Sequence, residues 1–257
     1  MTILRRPIAF SFALGLAAQM AAIASPVQAL SEEQRSAGVD LKWQINSQIG
    51  ENLGLPDERQ AEAVENLLAA ATRAEAALAT YGEDPELALE MKRELGVALY
   101  YAAYYRQLTA GEDQARTERV DLLTRSLAAL EPVMAAPDYE AKPLYEYREI
   151  TGDLFALGAY LDDPRWRAWS KANIHANRLQ LADAAGDQDS IAFEHNKVAQ
   201  ALYLDGFLTN DAAEIAEAES HFALIPADFV YALTEKMREA IAEGRAPYAG
   251  PGEPEWE

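Results

Sequence analysis

The sequence predicts an all-α fold built from antiparallel helix pairs, and three observations predict it. Apolar residues recur at steps of three and four along most of the chain, the spacing that lines one face of a helix. Residues that start and stop helices punctuate these stripes throughout. Strand signals are nearly absent. Long helices joined by short turns pack as antiparallel neighbours, so two arrangements satisfy the pattern: a solenoid of stacked pairs, or a closed multi-helix bundle.

Each element has its own local warrant. Ser31 with Gln34 has the spacing of a capping box and opens a helix over 31–50. Pro56 opens the next, over 56–81, whose stripe is Val64, Leu67, Leu68, Ala71, Ala74 and Leu78. Asp84-Pro85 sets a capping acid ahead of a proline suited to the first helical turn, and predicts 84–109. Val120, Leu123, Leu127, Leu130 and Met134 mark 113–135. Pro143 and Asp163-Pro164 open 143–161 and 164–185. Helices over 188–208, 211–224 and 227–243 follow, the second capped by Asp211 with Glu214 and the third opened by Pro226. Gly82, Gly111, Gly186 and Gly244 stand where helices should stop. Residues 30–243 thus read as one helical domain, and the Gly/Pro-rich acidic stretch 244–257 as a flexible tail.

The helix over 84–109 is distinctive. Its stretch LGVALYYAAYY carries no charge and sets Tyr100 over Tyr104 and Tyr101 over Tyr105. A helix apolar on all sides is surrounded by protein, so this one belongs in the middle of the stack. Buried tyrosine hydroxyls need partners and sit near a polar edge.

Three places pair a small residue on one helix with bulk on the next. Leu95-Gly96 and Leu99 precede LAALEP of 127–132. Gly152, Phe155 and Gly158 form a second set. Ala199, Leu202 and Gly206 precede Ala218, Phe222 and Pro226. These sets resemble the tetratricopeptide helix pair over about 95–226, a family whose unit repeats every ~34 residues. The spacings here drift, and the family's early tryptophan is missing from each set. The resemblance implies an α-solenoid whose concave face binds proteins or peptides.

The N-terminus carries Arg5 and Arg6, then an uncharged run from Ile8 to Ala24, then Ser-Pro-Val-Gln-Ala with small Val27 and Ala29. That order is a secretory signal peptide over 1–29, cleaved after Ala29, and places the protein in a bacterial periplasm. The apolar run approaches the length of a membrane span, but Gly15, Gln19 and the alanines keep it weakly hydrophobic. Beyond it no segment is apolar enough to insert in a membrane.

The formal charge of −20 disfavours nucleic acid and anionic lipid surfaces, and favours basic protein faces. With no cysteine, disulfides, thiolate nucleophiles, Cys-ligated zinc and iron–sulfur clusters are all excluded. The three histidines, His175, His195 and His221, offer no His-Glu-x-x-His spacing, although Glu217 and His221 could share a cation on one helix face. There is no G-x-S-x-G elbow and no Gly-rich phosphate loop, so neither an enzyme nor a cofactor is expected.

Aromatics beside arginines are the residues of binding hot spots. Candidates for a groove are therefore Tyr101, Tyr104 and Arg106 on one helix, with Arg165, Trp166 and Trp169 on another. The same tryptophans equally suit a seam between helix pairs. The expected function is a non-enzymatic, exported scaffold for a protein or peptide, with the acidic charge favouring a basic one. The alternative is a closed bundle that binds a small ligand or cation in a pocket walled by Tyr101, Tyr104, Trp166 or Trp169.

Overall fold

The computed structural model describes residues 30–226, apart from 110, 111 and 185, together with Phe229, Glu239, Ala242 and Glu243. The expected signal peptide over 1–29, most of the helix expected over 227–243 and the tail lie outside the described residues. Within them the fold is all-helical: α1 (Glu32–Gly50), α2 (Gln60–Tyr81), α3 (Pro85–Thr109), α4 (Glu112–Ala135), α5 (Leu144–Tyr160), α6 (Trp166–Asp183), α7 (Gln188–Thr209) and α8 (Ala212–Ala223).

The caps explain the starts. Ser31 and Gln34 form the full reciprocal capping box at α1. The Asp84 carboxylate accepts the backbone N–H groups of Glu86 and Leu87. Asp187 and Asp211 do the same for α7 and α8. Two prolines open less than the sequence suggests. Pro56 leads a single 3₁₀ turn, Asp57–Arg59, and α2 begins only at Gln60. Pro164 falls in the turn before α6, which starts at Trp166. Asn210, in the left-handed region at φ 57°, ends α7.

Packing runs along the chain. Each helix packs against its neighbours in sequence, α1 also reaches α3, and α3 also reaches α5. Among the described residues no contact of that extent joins α7 or α8 to the first four helices, and the pairs stack in succession as in a solenoid. The tyrosine-rich α3 touches α1, α2, α4 and α5. Leu95, Ala98, Leu99, Ala102 and Ala103 are all buried within it, which is why its middle tolerates no charge beyond Glu94. Buried Glu94 accepts from Asn46 and Arg93.

Close approach between paired helices is set by glycine. A Cβ on Gly96 would lie 2.4 Å from the Leu130 side chain of α4, and one on Gly158 would meet the Trp169 ring of α6. Gly206 faces Ile215 of α8 in the same way. The physical content of the small-into-large resemblance therefore recurs in three successive pairs, without a fixed sequence period.

The apolar core has two parts. One cluster spans α1 to α6; the other joins Ile174 of α6 to Val198, Leu202 and Tyr203 of α7 and to Ala218, Phe222 and Ile225. Between them the seam of α5, α6 and α7 is polar. Nη1 of buried Arg148 donates to both carboxylate oxygens of Glu194 (3.0 and 2.9 Å), and Asn173 donates to the Arg148 carbonyl (3.0 Å) and to Thr151 Oγ1 (3.2 Å). Ser170 Oγ donates to Asp205 at 2.6 Å. Such groups tolerate burial because they are bonded, and bonds of fixed geometry set the register of three helices.

Candidate functional site

Two adjacent tyrosine pairs on a helix must face different ways, because neighbours in sequence stand 100° apart. Tyr100 and Tyr105 point inward and are buried. Tyr105 Oη accepts the Gly54 backbone N–H at 2.8 Å. Tyr100 lies near Tyr145 of α5, and burial, then Tyr145 and the acids Glu149 and Asp153, push its hydroxyl well above the ordinary phenol range. Tyr101 is half-buried; burial, then the charge of Glu146, push it up to about 12. Tyr104, one turn on, is 47% exposed.

The result is a tyrosine surface where α3 meets α5. Tyr145, 50% exposed, lies near Tyr101, Glu146 and Glu149, with the Arg148 guanidinium 5.5 Å from its ring centroid, and Tyr104 stands exposed on α3 one turn beyond Tyr101. Aromatic faces flanked by carboxylates attract guanidinium and ammonium groups through ring quadrupole and charge together. Arg106 is not part of this surface. Its guanidinium pairs with Glu118 of α4, a bond that raises its pKa.

The tryptophans lie elsewhere. Trp166 stacks on Phe155 with ring centroids 5.9 Å apart, and Trp169 fills the space over Gly158; both are buried in the α5–α6 seam. Arg165 lies over the Trp169 ring at 4.9 Å and binds Asp163, holding that carboxyl below its usual range. Arg167 covers Trp166 at 4.8 Å. Helices α3 and α6 do not pair as α3 does with α2 and α4, although Tyr101 packs against the same apolar cluster that holds Trp166 and Trp169.

One exposed aromatic escaped the sequence reading. Trp43 is 59% exposed at a cleft of about 460 Å³ between α1 and the start of α3. Val39 and Leu87 line it with Trp43, and the pairs Arg35–Glu86 and Lys42–Glu90 span its two helices. Lys42 Nζ stands 3.8 Å from the Trp43 ring centroid. The signal was present. Trp43 lies two residues from both Leu41 and Ile45 and so falls off the stripe that α1 buries.

Two histidines are also brought together. His195 Nδ1 of α7 and His221 Nδ1 of α8 are 2.9 Å apart. Glu217 Oε1 stands 3.9 Å from His221 Nε2, on the far side of the ring, and Glu194 is engaged by Arg148. Among the described residues no three His, Asp or Glu side chains converge as metal ligands, and no described helix is long and apolar enough to cross a membrane. No protein-family model matches the sequence, and neither a curated protein nor a solved structure matches it at a significant level.

Proposed function

We propose that the protein is an exported, tetratricopeptide-like scaffold of the bacterial periplasm that holds a basic segment of another protein without acting on it chemically. The observation that carries this reading is the pair of exposed rings, Tyr104 on α3 and Tyr145 on the contacting α5, with Glu146 and Glu149 near Tyr145. Stacked helix pairs leave one flank of each layer free; here α1, α3 and α5 contact one another in turn, while α2 and α4 meet through the Glu75–Arg125 ion pair. Both exposed aromatic sites, the α3–α5 tyrosines and the Trp43 cleft, belong to that row. The chain's charge of −20 draws cationic partners from a distance.

The test uses a panel of arginine- and lysine-rich peptides against acidic and neutral controls. Selective binding that weakens with salt and falls about tenfold in the Tyr104→Ala/Tyr145→Ala double variant supports the reading. Equal binding of all peptides, or no effect of the double variant, removes it. Location is tested apart from binding, by fractionation and by mass spectrometry of the N-terminus, which should begin at Leu30.

The α1–α3 cleft supports a second reading, a small-ligand site. Its volume of about 460 Å³ lies within the range of ligand pockets. A small-molecule thermal-shift screen whose positive result vanishes in Trp43→Ala would favour it.

A further inference from the structure

The contact between His195 and His221 constrains their protonation. Two ring nitrogens 2.9 Å apart need one hydrogen between them, with one Nδ1 donating and the other offering its lone pair. The contact can form when both rings are neutral, or when one is a cation. It cannot form when both are cations, because each Nδ1 then carries a hydrogen and the rings repel.

The groups around the pair do not rescue the doubly charged state. On α8, Glu217 is the carboxylate nearest to His221, and α6 has already engaged it through Arg178. On α7, the neighbouring Glu194 is held by Arg148 of α5, and Lys197 lies over the Phe193 ring at 5.5 Å. Burial holds His195 below its ordinary pKa. Burial, then His195, lowers His221 as well; Glu217 opposes this and Arg178 adds to it.

The two ends of α8 are held differently. Its first turn carries Glu214, which shares Lys171 with Asp205 (Nζ–O distances 2.5 and 2.6 Å), and Ser170 supports Asp205 from α6. Burial opposes charge on Asp205, yet bonds from Glu214, Lys171 and Ser170 hold its carboxyl below the usual range. Burial and the adjacent Asp205 hold Glu214 above its usual range. A protonated Glu214 can still accept from Lys171 through its carbonyl oxygen, and Lys171 keeps its bond to Asp205, so this end stays fastened in mild acid. The last turn has the histidine pair and the packing of Ala218 and Phe222 against the α7 cluster.

We infer that the His195–His221 pair is an acid-operated latch: protonation of both rings frees the C-terminal turn of α8 from α7 and exposes Phe222, while the Asp205–Glu214–Lys171 clasp holds the helix start in place. The latch works whatever partner the α3–α5 surface binds. Its thermodynamic sign follows from the unfolded chain binding more protons than the folded one just below the ordinary histidine value of 6.5. The contact is at full strength above that pH and is lost as pH falls through the lowered folded values.

Hydrogen exchange on the full chain, corrected for the intrinsic pH dependence of exchange, tests this at about pH 7.5 and about pH 5. In the wild type, protection of amides 218–224 should fall about tenfold or more at the lower pH, while that of 213–216 is retained. In His195→Gln/His221→Gln the two pH values should give equal protection. Protection of 218–224 that is unchanged in the wild type, or lost equally in the double variant, overturns the latch. If the double variant does not fold, His195→Gln alone serves, since one histidine cannot form the repelling pair, and a fall equal to wild type in that variant is equally fatal. Histidine ring NMR of the wild type supplies an independent readout: two linked titrations below 6.5 are expected, and two independent titrations at ordinary values exclude the latch.

Discussion

Gly158 of α5 faces Trp169 of α6 so closely that a methyl group at position 158 would stand 2.7 Å from the indole ring. Trp169 is held in turn by Arg165 above its face and by the wall of α5, so the ring has little room to retreat. Gly158→Ala would gain helix propensity but force the two helices apart. The expected net result is a loss of about 1–3 kcal/mol, measured by chemical denaturation. Gly50→Ala is the control, because nothing lies within 4 Å of a Cβ there and no such loss is expected.

Arg148 and Glu194 tie α5 to α7 across the polar seam, with side chains 6% and 12% exposed. Removing one partner leaves the other charge stranded. Arg148→Ala should cost about 3 kcal/mol, and Arg148→Met/Glu194→Leu clearly less than the sum of the single changes. A double-mutant cycle checks both values.

The helices and most of their starts were legible because caps and apolar spacing are local. The buried role of α3 could be read from eleven residues without a charge. Prolines set two starts a few residues early, because a 3₁₀ turn follows Pro56 and Pro164 falls in the turn before α6. The histidine pair and the Arg148–Glu194 pair were invisible because their members are 26 and 46 residues apart, and no periodicity links residues on different helices. Among the proposed groove residues, Tyr101 and Tyr104 lie on a surface, whereas Trp166 and Trp169 lie in a seam. An aromatic on a helix stripe looks the same in sequence whether its neighbour is protein or solvent.

Two tyrosine-to-phenylalanine changes should separate the roles within one helix. Tyr105→Phe removes the acceptor of the Gly54 N–H and should cost about 1 kcal/mol. Tyr104→Phe removes an exposed hydroxyl and should change stability by less than about 0.5 kcal/mol. Thermal or urea unfolding distinguishes them.

Tyr101 provides an alkaline test. Its hydroxyl is pushed up to about 12, from 10.0, by burial and by Glu146. The neutral form is favoured by the fold, so this contribution is complete below the unfolded value and is lost as pH rises through the folded one. The phenolate absorbance assigned by difference to Tyr101, using Tyr101→Phe, should therefore rise near pH 12. Stability of the wild type should fall over the interval between the two values, and by less in the variant.

The division of the apolar core by a polar seam has a mechanical corollary. Heat or denaturant meets two bodies of oil joined by hydrogen bonds, and water can enter a hydrogen-bonded joint without first dissolving either body. Melting should therefore begin at the α7–α8 end and leave the tyrosine helix standing, giving a calorimetric enthalpy larger than the one inferred from the steepness of the transition.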